Sequence, residues 1–213
     1  MTGTVSSERK QQKRGGKTVR RVLDASLVLI AEGGFDAVQL ASVSKKSGVS
    51  TGSLYHHFGS KAGIITRLVD EFTSKAVADL ENLDLTGQPF ESRLRSMLDL
   101  TCAQFRNNPE LYQAMAQRVR VDPSIWEPLR ALRVKFEARM MEEFRDNLHQ
   151  RRISDPKQAI RRMLQSILGI LTHSILFDSG PVRPSAANLE TQVFAIGRAV
   201  LLLPDQQEPP YDA

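Results

Sequence analysis

The chain has 213 residues, 41% of them apolar, one cysteine (Cys102) and a formal net charge of +5. That length suits one large domain or two small ones, and the composition is that of a globular protein rather than a disordered one. A lone cysteine excludes an intrachain disulfide, no apolar run reaches the length of a membrane span, and Met1 to Lys10 lack the apolar core of a secretory signal, so a cytoplasmic protein with no membrane partner is expected. The charge is uneven: residues 1–75 carry 12 Lys and Arg against 6 Asp and Glu, the remainder 17 against 18. Such an imbalance fits a basic, polyanion-binding head on a neutral body, or else a solvated basic tail.

Residues 1–16 are polar and rich in Ser, Gly and Gln, which predicts a flexible basic arm. Arg9, Lys10, Lys13, Arg14 and Lys17 either follow a DNA backbone or minor groove, as N-terminal arms do, or belong to a loose terminus with no single role. From Thr18 the apolar residues Val19, Val22, Leu23, Leu27 and Ile30 recur at helical steps until Gly33-Gly34 ends the helix as a C-cap. Phe35 and Val38 are expected to pack back on the core. A second helix covers about Ala41 to Ser47, with Leu40 and Val43 inward.

Gly48 suits a tight turn in left-handed backbone, Val49 plugs that turn into the core, and Ser50 is an N-cap for a helix from Thr51 to Phe58. This is a helix-turn-helix. Its second helix opens with Thr51, Gly52 and Ser53, small enough to let a helix N-terminus approach base edges. Tyr55, His56 and Lys61 offer donors for phosphate oxygens. His56 and His57 are adjacent, so their rings are expected on different sides of the helix, a poor arrangement for a metal.

Gly59-Ser60 breaks the recognition helix, and Ser60 caps a helix running to about Asn82. Residues 84–89 read as the joint between head and body. Further helices are predicted over 90–106, 110–118, a long stretch ending near Gln150, 156–178 (N-capped by Asp155, with proline at its first position) and 185–203. Nothing has strand periodicity. The fold class is therefore all-α: a three-helix helix-turn-helix head joined to a larger helical-bundle body, about nine helices in all. The expected boundaries are 1–16 for the arm, 17–82 for the DNA-binding domain with its connecting helix, 83–204 for the body and 205–213 for a disordered tail. The last two long helices are apolar around most of their circumference, and Gly169, Ala195, Gly197 and Ala199 permit close approach. Burial within one subunit accounts for this, and so does a four-helix interface between two copies. The dimer is preferred, because a helix-turn-helix reader needs two half-sites.

Across about Thr18 to Phe72 the chain resembles the TetR family of transcriptional regulators. The resemblance rests on Gly33-Gly34-Phe35, Val43, Gly48-Val49-Ser50, Gly52, Leu54-Tyr55-His56, Phe58 and Lys61. Ser44 and Ser47 stand where the family often has alanine, Thr51 where a basic residue is common, and Gly63 where an acidic residue is usual. Glycine at that place costs about 1 kcal/mol of helix propensity, so a looser first turn is expected there. The resemblance implies a palindromic operator in double-stranded DNA, a homodimer, and a small-molecule effector in the body whose binding releases the DNA. It assigns Thr51, Gly52 and Ser53 to bases and Tyr55, His56 and Lys61 to phosphates, with Gln39 and Ser42 as weaker phosphate candidates.

Met97, Phe105, Met115, Trp126, Phe136, Met140, His173 and Phe177 either line an effector cavity or fill the core. Cys102 is read as an inert buried thiol rather than a switch. No phosphate loop, metal-spaced His/Cys set or nucleophile–base constellation is present, so no catalytic residue, metal or cofactor is expected. The reading is a DNA-binding repressor released by an apolar or amphipathic effector. The alternatives are a regulator whose body senses a protein partner, and an all-helical enzyme.

Overall fold

The computed structural model describes residues 3–203, with side chains from Gly15 onward. Among them are nine α-helices and no strand: α1 Gly3–Ala37, α2 Leu40–Ser47, α3 Thr51–Phe58, α4 Lys61–Glu81, α5 Phe90–Asn107, α6 Pro109–Arg118, α7 Glu127–Gln150, α8 Pro156–Phe177 and α9 Leu189–Leu201. A 3-10 turn, Pro123–Trp126, precedes α7. The chain divides into two compact units, Met1–Phe72 with Gln113–Trp126, and Thr73–Tyr112 with Glu127–Ala213.

In the first unit α1 packs on α2, and α2 on α3. Val22, Val38, Val43, Leu54 and Ile64 are fully buried and Leu68 nearly so. Each such side chain contributes about 1.5–3 kcal/mol by leaving water. α1 starts at Gly3, so helical backbone covers most of the stretch expected to be a mobile arm. The side chains of Arg9, Lys10, Lys13 and Arg14, and the tail 205–213, lie outside the described residues. Gly33-Gly34 leave helical backbone and end the first helical run, as expected. Gly34 has φ +63° and ψ −162°, a region essentially reserved for glycine, and helix resumes as far as Ala37.

The turn between α2 and α3 forms as its residues dictate. Gly48 sits at φ +65°, ψ 23°, and its N–H donates to the Ser44 carbonyl at 2.9 Å. A Cβ there would lie 2.8 Å from Arg21 Nη2. Ser50 caps α3, its Oγ accepting from the Ser53 N–H at 3.3 Å. Ser60 caps α4 in the same way, accepting from the Gly63 N–H at 3.2 Å. The expected looseness at Gly63 is replaced by a close approach: a Cβ on Gly63 would sit 1.9 Å from the Phe58 carbonyl oxygen.

In the second unit α8 packs on α7 and α9, and α9 on α5. Leu94, Met97, Leu98, Met140, Phe144, Leu148, Ile160, Met163 and Leu171 are fully buried. Leu98 seats against Gly197, where a Cβ would meet its Cδ1 at 2.8 Å. Gly197 thus serves packing within the subunit, whereas Gly169 faces open space. Arg93 bridges α5 to α7: it donates to the Glu143 carboxylate (3.1 Å), the Glu143 carbonyl (2.9 Å) and Asn147 Oδ1 (2.7 Å). Arg198 pairs with Glu91 at 2.7 Å and Arg106 with Glu190 at 2.6 Å, clasping α5 to α9 near both ends. α9 begins at Leu189, four residues later than its periodicity suggests. The carbonyls of Pro184 and Ala186 are held by the Arg106 guanidinium, at 3.1 and 3.2 Å, which keeps that stretch in turns.

Candidate nucleic-acid interface

α3 is anchored by Leu54, which is fully buried, and by the Ser50 cap at its start. That leaves the opposite side in solvent. Thr51 and Gly52 are exposed, Ser53 is half-buried, and Tyr55 is 58% exposed. Nothing lies within 4 Å of where a Gly52 Cβ would be, so packing does not demand glycine there. Neither α2 nor α3 has an acidic residue in its first turn, so the positive ends of both helix dipoles are uncancelled.

Two candidate phosphate donors from separate elements converge. Gln39, at the N-cap of α2, donates through Nε2 to the Asp36 carbonyl at 2.9 Å. Lys61, in the first turn of α4, donates through Nζ to the same carbonyl at 3.4 Å and lies 3.9 Å from the Asp36 carboxylate. Gln39 makes no side-chain cap, so the first N–H groups of α2 are free for an anion. Ser42 is half-buried in that same first turn. The Asp36 side chain is 93% exposed, so its hold on Lys61 is a weak surface pair that a phosphate can replace.

His56 and His57 are both exposed, but their rings meet edge to face with centroids 5.1 Å apart instead of parting to different sides. No group of three metal-ligating side chains occurs among the described residues. Spacing along the chain did not reveal Arg21. Its guanidinium donates to the Ser47 carbonyl at the C-terminus of α2, locking α1 to the turn. Twenty-six positions separate the two residues, and no local pattern marks the contact. Lys46, in the last turn of α2, pairs with Glu32 of α1.

The residues expected around an effector divide. Met97, Phe105, Met115 and Met140 are buried, and Trp126 and Phe136 are half-buried. His173 and Phe177 stand in solvent on α8, Phe177 66% exposed, with ring centroids 4.8 Å apart. Phe105 stacks on Tyr112 at 4.0 Å. The second unit also has an open groove of about 620 Å³ lined by residues 83–88, Arg93, Arg139 and Glu143; none of the expected pocket residues borders it. Burial pushes the Cys102 thiol up to about 12, with the Glu190 and Asp99 carboxylates adding to the shift, so it stays neutral and unreactive. Among the described residues no helix is long and apolar enough to cross a membrane.

Residues 22–68, which hold α2, α3 and most of their packing partners, match the family described as bacterial regulatory proteins, tetR family. The chain is 28% identical over 113 residues to the HTH-type transcriptional repressor KstR of Mycolicibacterium smegmatis, a match covering 53% of each chain. It is 25% identical over 168 residues to the HTH-type transcriptional regulator UidR of Escherichia coli, covering 78% of this chain and 84% of that one. The chain spans about half the length of the curated KstR relatives it matches. In fold it is similar to the TetR family transcriptional regulator PfmR from Thermus thermophilus, with a TM-score of 0.63 at 24% identity, covering 87% of this chain and 96% of that one. These relatives are regulators rather than enzymes. The helix-turn-helix segment of the chain, residues 22–68, is thus matched by the tetR family of bacterial regulatory proteins.

Proposed function

We propose that this chain is a homodimeric, sequence-specific DNA-binding repressor whose body releases it from a palindromic operator on binding a small apolar or amphipathic effector. The observation that carries the reading is the exposed start of α3, small-residued and acid-free, flanked by Gln39 at the N-cap of α2 and Lys61 at the start of α4, both donating to the Asp36 carbonyl. Thr51, Gly52 and Ser53 face base edges in the major groove. Tyr55, His56, Lys61, Gln39 and Ser42 hold phosphates on either side. Residues 17–82 form the reading head, and 83–204 the effector-binding and dimerisation body.

Dimerisation is supported by the outer faces of α8 and α9. Leu168, Ile170, Ile175 and Leu176 on α8, and Phe194 and Ile196 on α9 with Leu202 at its C-cap, are only half-buried in one subunit, and Phe177 is exposed. A two-fold contact of these faces removes that apolar surface from water and gives one particle two α3 helices, one for each half-site. Effector binding is supported by the thioether- and aromatic-rich core around Met97, Phe105 and Met140. Selection from a random duplex pool tests the reading. Enrichment of an inverted repeat, bound by a species of twice the chain mass in sedimentation, is expected. Enrichment of no sequence, or binding by a monomer, overturns it.

A further inference from the structure

α3 is only 8 residues long, and Leu54 is its one fully buried side chain. A helix that short does not hold its own place; it takes it from what it is joined to. The placing of Thr51, Gly52 and Ser53 is therefore set by the turn, residues 47–50, that joins α3 to α2. Three hydrogen bonds in and around the turn are local. The Gly48 N–H donates to the Ser44 carbonyl at 2.9 Å, the Val49 N–H to Ser47 Oγ at 3.2 Å and the Ser53 N–H to Ser50 Oγ at 3.3 Å. Each closes within α2, the turn and α3, and none of the three refers the turn to the rest of the head.

That reference comes from α1. Ser47 is the last residue of α2, and its carbonyl is one of those that a helix end leaves without an intrahelical donor. Arg21 of α1 donates to it through Nη2. The guanidinium also sets a positive charge at the negative end of the α2 dipole. It lies so close over the turn that a Cβ on Gly48 would come within 2.8 Å of Nη2. Glycine at 48 thus serves twice, for its left-handed backbone and for the room it leaves the guanidinium. A second tie from α1 to this end of α2, Glu32 to Lys46, joins two side-chain ends at the surface and is worth little. The Arg21 bond ends on the backbone, so it fixes the path of the chain itself.

We infer that Arg21 is a positioning residue for base reading: from α1 it holds the Ser47 carbonyl, and through the turn it fixes the angle at which the start of α3 meets the major groove. Loss of that hold costs discrimination more than general affinity. Hydrogen bonds to base edges are short and directional, whereas the attraction of a cation to phosphate falls slowly with distance and tolerates a tilted helix. The inference rests on the DNA-binding reading above and names a residue outside α2 and α3 on which that reading depends.

The test compares the full chain with R21A, R21K and R20A. Affinity is measured at several salt concentrations on the selected repeat and on an unrelated duplex of the same length, and the ratio of the two is the readout. We expect the ratio to fall by about tenfold or more in R21A, the worth of roughly one lost base contact. The unrelated duplex and the salt slope change little, and R21K, which keeps a charged donor of similar reach, restores the ratio. R20A removes a neighbouring guanidinium that is tied to Asp24 and Glu71, both at 3.0 Å, and keeps the parent ratio. In the free protein the Gly48, Val49 and Ser53 amides exchange faster in R21A, relative to those of α4, and at the parent rate in R21K. An unchanged ratio in R21A overturns the inference. So does an equal fall on both duplexes with about 0.9 less salt slope, which marks a direct phosphate contact. So does a fall of the ratio in R20A as large as that in R21A. If R21A does not fold, R21M, which keeps most of the stem and loses the donor, is read in the same way. If the full chain selects no repeat, the repressor reading fails, and the three amides decide alone whether Arg21 positions α3; equal rates in parent and variant overturn it.

Discussion

The roles proposed for Lys61 and Tyr55 differ in kind, and their variants separate them. Lys61 is a point charge parked on the Asp36 carbonyl, whereas Tyr55 presents an exposed hydroxyl and ring. We expect K61A to weaken operator binding and to lower the salt slope by about 1 per subunit, and Y55A to weaken binding with little change of slope. Titrations at three salt concentrations check both, and an unchanged affinity in either variant sinks the role given to that residue. Two glycines make a second contrast. Gly52 has free space where a Cβ would go, so G52A gains up to about 1 kcal/mol of helix propensity yet binds the operator less well, because the methyl enters the gap between α3 and the bases. Gly63 has the Phe58 carbonyl there, so G63A costs about 1–3 kcal/mol as overpacking. Chemical denaturation and operator titration of the two variants check the pair. Only one of these glycines was legible in the chain. Gly52 belongs to a motif written in consecutive residues, whereas the reason for Gly63 is a carbonyl in the preceding turn, visible only once α3 and α4 are placed.

Helices were legible wherever their start and stop signals were local. α3 and α5 begin where the chain predicts, Ser50 and Asp155 cap as expected, and Gly48 takes the left-handed turn. Boundaries departed where a distant side chain intervened. α9 starts late because Arg106 of α5 takes the carbonyls ahead of it. The cap on α3 has a measurable price. S50A removes the acceptor for the Ser53 N–H and costs about 1 kcal/mol in denaturant unfolding. Operator affinity is expected to fall with it, since the same turn carries Thr51 to Ser53; S50D restores stability as a cap but repels the duplex. Stability unchanged in S50A means that the hydroxyl does not cap.

At the scale of the molecule, pH acts on α5. Burial holds the Asp99 carboxyl above its ordinary 3.8, the Arg95 charge opposing and the Glu190 charge adding to the shift, and its Oδ1 is buried with no hydrogen-bond partner. A carboxyl raised in the folded state favours folding when protonated. That contribution is complete below the ordinary carboxylate range and is lost as pH climbs through the raised value. D99N is therefore expected to melt higher than the parent at pH 7 and level with it near pH 3.5; a difference independent of pH refutes the assignment. The helical architecture was readable because apolar period and caps are written along the chain. The effector site was not, since buried methionine and phenylalanine look the same whether they line a cavity or fill one. The clasp between α5 and α9 has a mechanical consequence. With Leu98 seated over Gly197 and an ion pair near each end, α5 and α9 are fastened at three points along their length. A displacement of α5 is therefore expected to carry α9 with it, as a lever carries the arm bolted to it.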